Sequence, residues 1–304
     1  MPATPALRGL LPACPTATAP DGAVDRDAMK RLVRYMLDEG AGGLVPLGGT
    51  GEYTSFSRPK RNAALEACVE AASGRAPVVA GVLSAGFGDA CEAAADFLSI
   101  GADAIMLIPP YYAKTGQQGV TDYFRKVRDT VDIPIVLYDN PVRSRIVLSP
   151  ETIAALAQDG TVIGMKASNT DIYHFDLLMQ QVGPDFQMLS GYDTLFAQQV
   201  SMGARGGVLT SAVLVPGVWN RVQQHAEAGR FAEALALQRK LCPLMNALFA
   251  EENPAPLRAA LSMIGLETGE CLPPLKPASA PLIAQLRGIL ADLHGDGILS
   301  MPPL

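Results

Sequence analysis

Histidine is scarce. Only His174, His225 and His294 occur in 304 residues, and they lie far apart. That spacing argues against a multi-histidine metal site and against a metal-dependent aldol reaction. The five cysteines, Cys14, Cys68, Cys91, Cys242 and Cys271, are odd in number and scattered, and no two form a Cys-x-x-Cys pair. They read as reduced thiols filling a core, the pattern of a cytoplasmic chain. Positive charge is in deficit: 24 Lys and Arg against 30 Asp and Glu give a net charge of −6. A chain of that sign is not built to coat nucleic acid or an anionic membrane. No apolar run is long enough to span a bilayer, and the first fifteen residues lack the basic start and apolar stretch of a signal peptide. No low-complexity linker separates a second domain.

Apolar residues are plentiful, at 49%, with charged residues at 18%, enough for a large core. Short apolar runs at 9–14, 43–47, 78–82, 104–108, 134–138, 162–166, 187–190 and 206–209 alternate with helical patterns. The segment 29–37 places Leu32, Val33, Met36 and Leu37 on one face, with Gly40 as a C-cap. Segments 62–72, 90–98, 122–131, 150–157, 171–181 and 194–202 behave likewise, and Ser149-Pro150-Glu151 is a helix start. Eight strands alternating with helices predict a parallel sheet closed into an α/β (β/α)8 TIM barrel over residues 1–222. An open doubly wound sheet is the alternative, and it would more often carry a Gly-x-Gly-x-x-Gly turn after the first strand, which is absent here. Helical patterns at 221–230, 231–251, 256–264 and 280–293 predict a C-terminal helical extension, residues 223–304, packed on the barrel as one unit.

Barrel chemistry sits at the C-terminal ends of strands, so those positions are the ones to weigh. The sixth run ends on Lys166. Burial disfavours a charged ammonium, and a neutral amine is the form that attacks a ketone to give a Schiff base. The alternative is a lysine reaching past the strand into water. The fifth run ends on Tyr138, adjacent to Lys166 in barrel order, where a phenol can shuttle protons; otherwise it is a core tyrosine. The loop after it offers Arg143 as a fork for a carboxylate, or simply as a solvated arginine. Leu47-Gly48-Gly49-Thr50-Gly51-Glu52 leaves backbone N–H groups free for an anion, unless it is an ordinary tight connection. Ile108-Pro109-Pro110-Tyr111-Tyr112 is a stiff aromatic loop suited to a site wall or a subunit contact. Ser190-Gly191-Tyr192-Asp193 and Gly206-Gly207-Val208-Leu209-Thr210-Ser211 complete the rim.

In order and spacing these segments resemble the dihydrodipicolinate synthase / N-acetylneuraminate lyase family, over about residues 7–295. Gly48-Gly49-Thr50-Gly51-Glu52 resembles its Gly-x-Thr-Gly-Glu loop. Tyr138 with Pro141 resembles its Tyr-Asn-x-Pro segment, and Gly164-Met165-Lys166 its Schiff-base strand. Gly207-Val208-Leu209-Thr210 resembles its eighth strand. Asn253-Pro254-Ala255-Pro256-Leu257-Arg258 resembles its Asn-Pro-x-Pro-x-Lys helix start. The resemblance implies Lys166 as nucleophile and Tyr138 as proton shuttle. It implies a carboxylate site at Gly49 and Thr50 with Leu209 and Thr210 beside it, and no metal or organic cofactor. It also implies a homo-oligomer, dimer or tetramer, in which Tyr112 reaches across the tight interface.

The departures bear on the substrate. Gly49 stands where the synthases and the sialate lyase carry Thr or Ser, whose hydroxyl in the synthases relays protons between the active tyrosine and the neighbouring subunit's tyrosine. Asp139 replaces an Asn, and Ser144-Arg145 replaces Thr-Gly. Asp193, in a segment closer to the sugar-acid lyases, is a candidate for holding a substrate hydroxyl. Three readings follow. One joins pyruvate to an aldehyde through a Schiff base, or runs the reverse, as Arg143 and Tyr112 favour. One is a 2-keto-3-deoxy sugar-acid aldolase or dehydratase, as Gly49 and Asp193 favour. The third is a non-catalytic barrel that binds a 2-oxo acid.

Overall fold

In the computed structural model, which describes residues 4–304, seven strands form one parallel sheet. They are β1 (Gly9–Leu10), β2 (Val79–Val82), β3 (Ala104–Leu107), β4 (Ile135–Asp139), β5 (Gly164–Ala167), β6 (Gln187–Ser190) and β7 (Gly206–Gly207), in the order β1-β7-β6-β5-β4-β3-β2. The gap between β1 and β2 is filled by the apolar run expected as the second strand. Val45 bridges Ala13 and Leu44 bridges Val78, both in parallel, and the ring closes through them. This segment does not extend into a regular ladder because Pro12 and Pro46 have no N–H to give. Both prolines only accept, from Val45 and Gly81 respectively. The barrel expectation therefore holds, with its second stave reduced to two bridges. Every residue of β2 to β6 is buried, as a parallel sheet covered by helices requires.

The helices follow from capping and face chemistry. Helix Arg26–Asp38 starts where the Asp25 carboxylate accepts from Ala28 N, and it buries Met29, Leu32, Val33, Met36 and Leu37 against the ring. It stops before Gly40, whose φ of +95° belongs to the left-handed region. Helix Pro150–Gln158 starts with Ser149 accepting from Thr152 N. The last barrel helix runs Pro216–Glu227, so the expected boundary at residue 222 falls inside it. The single helix expected over 231–251 is two, Phe231–Lys240 and Cys242–Leu248, because Pro243 cannot donate within a continuous helix. Helices Ala255–Met263 and Ala280–Gly295 complete the extension. Among the described residues no helix is long and apolar enough to cross a membrane.

Candidate active site

Strand register brings the first two candidates together. In the β4–β5 pairing Tyr138 stands opposite Lys166, so both side chains leave the same face of the ring. Lys166 Nζ lies 4.5 Å from the centroid of the Tyr138 ring. Each is only 8% exposed, so the lysine does not run out into water. The Tyr138 hydroxyl accepts from Asn140 Nδ2 at 2.8 Å. With that acceptor role taken, the phenolic hydrogen is free to point at a third group. Asn140 is held in turn: its side-chain oxygen accepts from Arg143 N at 3.2 Å, capping a single helical turn, Pro141–Ser144.

The glycine-rich turn sits across the rim. Leu47 and Glu52 frame it, each in the left-handed region, with φ of 60° and 53°. Non-glycine residues tolerate that conformation only when their surroundings impose it. Gly51 is required by close approach, since a Cβ there would meet Leu47 N at 2.6 Å. Gly49 is different: it is exposed, and a Cβ there would meet nothing within 4 Å. The amides of Gly49 and Thr50 donate to no protein group among the described residues, which leaves both for an anion.

Thr50 is buried, and its hydroxyl links three elements. It accepts from Asn253 Nδ2 at 3.0 Å and faces the Thr210 hydroxyl at 3.5 Å. Behind it Glu52 is clamped by the extension. Arg258 Nη2 donates to Glu52 Oε1 at 2.5 Å and to the Thr16 carbonyl at 2.6 Å, and Leu272 N donates to Glu52 Oε2 at 2.8 Å. Both side chains of this ion pair are almost wholly buried, at 4% and 1% exposure.

Asp193 is placed differently from the expectation of a free acceptor for a substrate hydroxyl. Its carboxylate accepts from Ser211 N at 2.9 Å, from Thr210 N at 3.3 Å and from the Ser211 hydroxyl. Ser211 Oγ accepts in turn from Trp219 Nε1 at 2.9 Å. Burial raises the Asp193 pKa, while the Ser211 and Thr210 donors and the nearby Lys166 charge oppose that rise. Asp193 therefore pins the chain beyond β7, close to Lys166. Leu209 is wholly buried, with its carbonyl spent on Ala13 N at 3.1 Å, so it belongs to the barrel wall. Thr210 alone of that pair reaches the turn.

The other two candidates lie outward. Arg143 is exposed on the Pro141–Ser144 turn, and Tyr112 is 89% exposed beyond β3. Among the described residues neither is hydrogen-bonded to Lys166 or Tyr138. Sequence reasoning missed Asn140 and Asn253 as site residues. Asn140 stood in plain view two positions after Tyr138, but Asn253 lies 203 positions from Thr50 and no local pattern joins them. Among the described residues no cluster of three or more His, Cys, Asp or Glu side chains is placed to hold a metal ion.

A ring of eight parallel staves that buries a lysine amine against a tyrosine at its strand ends is equipped for chemistry through a lysine Schiff base. Comparison with known proteins agrees. Residues 6–292 match the dihydrodipicolinate synthetase family. A 4-hydroxy-tetrahydrodipicolinate synthase of Methylobacterium radiotolerans is 39% identical over 275 residues, covering 90% of this chain and 92% of that one. The enzyme of the same name from Parvibaculum lavamentivorans is 35% identical over 280 residues, covering 92% and 95%. Among solved structures, the dihydrodipicolinate synthase of Acinetobacter baumannii complexed with pyruvate superposes with a TM-score of 0.91 at 28% identity, covering 97% of this chain and 100% of that one. The chain belongs to the dihydrodipicolinate synthetase family. It is a Schiff-base-forming lyase of the aldolase type.

Proposed function

We propose that this enzyme joins pyruvate to an aldehyde that carries its own carboxylate, a reading supported by relatives named synthases and by a structural neighbour complexed with pyruvate. The observation that carries the proposal is the Lys166–Tyr138 pair, buried and in register on neighbouring strands. The Lys166 amine adds to the keto carbon of pyruvate, and loss of water gives an iminium. Removal of a methyl proton turns the iminium into an enamine, whose carbon attacks the aldehyde. Water then releases the product and the free amine. Tyr138, with its hydrogen freed by Asn140, serves the proton transfers at the departing hydroxyl and at the new alkoxide. The Gly49 and Thr50 amides and the Thr50 hydroxyl hold the pyruvate carboxylate. Arg143, exposed at the mouth, suits the carboxylate of the aldehyde. Tyr112, projecting from the rim, suits entry into the site of a second copy in a homo-oligomer. All five cysteines are free, which supports a reducing compartment such as the cytoplasm.

A second reading rests on Gly49. The open space beside it suits a longer 2-keto-3-deoxy sugar acid. Asp193 gives that reading less support than its position in the sequence suggests, because its carboxylate is occupied. Borohydride reduction with pyruvate, followed by peptide mass spectrometry, tests both. The expected result is a reduced pyruvyl adduct on the Lys166 peptide. An adduct with 2-keto-3-deoxy acids but not with pyruvate would select the second reading. No adduct with any 2-oxo acid would leave a binding barrel without catalysis.

A further inference from the structure

The side-chain amide of Asn140 has two ends, and each is committed. Asn140 follows β4 directly, on the face of the strand that carries Tyr138. It opens the turn Pro141–Ser144, and its Oδ1 accepts from Arg143 N at 3.2 Å. A backbone N–H can only donate, so the oxygen of the amide must face Arg143. The nitrogen is left to donate to the Tyr138 hydroxyl, at 2.8 Å. Among the described residues no other side chain is hydrogen-bonded to that hydroxyl. One planar amide therefore joins the group that transfers protons to the residue that suits the carboxylate of the aldehyde.

The turn itself is lightly held. Val142 and Arg143 are exposed, and Ser144 is its one buried residue. Ser144 Oγ lies 2.9 Å from the Asn140 carbonyl oxygen and 3.2 Å from that of Ile146, within donating range of both. Arg145 N donates to the Pro141 carbonyl at 2.9 Å. Arg145 closes the turn with a φ of 58°, in the left-handed region where a residue with a side chain is strained. Beyond it Val147 is exposed as well. A segment with so little buried apolar surface and a strained end is among the first to open locally. Arg143 makes no ion pair among the described residues, so its guanidinium is free to take an anion. An anion held there adds the outer anchor that the turn lacks.

We propose that Asn140 is a positioning residue that carries occupancy of the mouth to the phenol. A carboxylate held by Arg143 fixes the turn, the turn fixes the Asn140 amide, and the amide holds Tyr138 with its hydrogen aimed into the site. The inference rests on the reading of Tyr138 as the proton-transfer group and of Arg143 as the seat of the aldehyde's carboxylate. It makes that carboxylate a requirement of turnover as well as of binding. An aldehyde of the same length without the charge leaves the turn free to open. The phenol then samples orientations of which few serve the new alkoxide. The enzyme selects its second substrate twice, in KM through the guanidinium and in kcat through the amide.

Succinic semialdehyde and its methyl ester are the probes, since the ester keeps the chain and removes the charge. With pyruvate as co-substrate, the wild-type kcat should be about tenfold higher for the acid than for the ester, the order of one hydrogen bond. Asn140→Ser keeps a capping oxygen for Arg143 N and is too short to reach the phenol. In that variant the two kcat values should agree within about twofold, while the acid keeps its lower KM. Arg143→Ala should remove both preferences. A role in capping alone slows acid and ester alike and leaves their kcat ratio as in wild type, and that outcome overturns the proposal. Equal kcat values for acid and ester in wild type overturn it too. If Asn140→Ser melts below wild type, Asn140→Thr, which also caps, carries the comparison. Turnover of neither aldehyde, with borohydride trapping of pyruvate on Lys166 intact, strikes the aldehyde reading and the inference with it. A kcat ratio unmoved by Asn140→Ser, beside a KM preference that Arg143→Ala abolishes, strikes the inference alone.

Discussion

Lys166 and Tyr138 are strand partners, with the amine 4.5 Å from the centre of the phenol ring. Register alone produces this contact. A slip of one residue between β4 and β5 would put Asp139 or Leu137 opposite Lys166 and turn the phenol to the other face. The ladder continues past the pair through Ser168 N to the Asp139 carbonyl, which holds the register at its working end.

Lys166→Ala should abolish turnover and borohydride trapping while leaving the fold in place. The position is near the strand end, so truncation removes the amine and its contact with the Tyr138 ring and leaves the apolar layers of the barrel in place. Circular dichroism and melting compared with wild type check the fold, and residual trapping at another lysine would move the nucleophile.

Tyr138→Phe should slow kcat by roughly 10²–10⁴ if the phenol transfers protons in the rate-determining steps. Asn140→Ala should give a smaller loss, on the order of tenfold, because it frees the hydroxyl to rotate without removing it. Steady-state kinetics on both variants rank the two effects, and a Tyr138→Phe loss within twofold would assign that ring to packing.

Asn253→Ala should raise KM for pyruvate more than it lowers kcat. The lost hydrogen bond orients the Thr50 hydroxyl, an interaction worth about 0.5–1.5 kcal/mol, or roughly two- to twelvefold. Equal losses in kcat and kcat/KM would place Asn253 in the transition-state machinery instead.

Gly49→Thr should be accepted by the fold with a stability change within about 0.5 kcal/mol, because nothing occupies the space its Cβ would enter. Turnover of longer 2-oxo acids should fall relative to that of pyruvate. Gly51→Ala is the contrast: its Cβ would strike the Leu47 backbone, and thermal melting should drop.

The alternation of apolar runs and amphipathic segments carried the barrel, and strand-end position carried Lys166 and Tyr138. Where sequence reading stopped, the missing information was spatial. Pro12 and Pro46 reduce the second stave to two bridges, though its apolar run reads like any other. Pro243 divides a helical pattern that is continuous in its apolar positions. Asp193 is the kind of residue that binds a ligand hydroxyl, and only the approach of Ser211 and Thr210 shows that its oxygens already accept from the protein. Leu209 and Thr210 are neighbours in sequence, but one serves the wall and the other the rim. Asn253 and Arg258 reach residues 203 and 206 positions away, distances over which no periodicity speaks.

The clamp of Arg258 on Glu52 has a consequence for how this fold can be recombined. The turn that offers its amides to an anion keeps its left-handed ends because helix Ala255–Met263 and the loop at Leu272 grip it from behind. Residues 48–52 and 253–272 therefore form one inheritable cassette interrupted by most of the barrel. A chimaera that takes the ring from one relative and the terminal helices from another would split the cassette and mismatch its halves. Exchanging both segments together would move the anion grip intact onto a new ring.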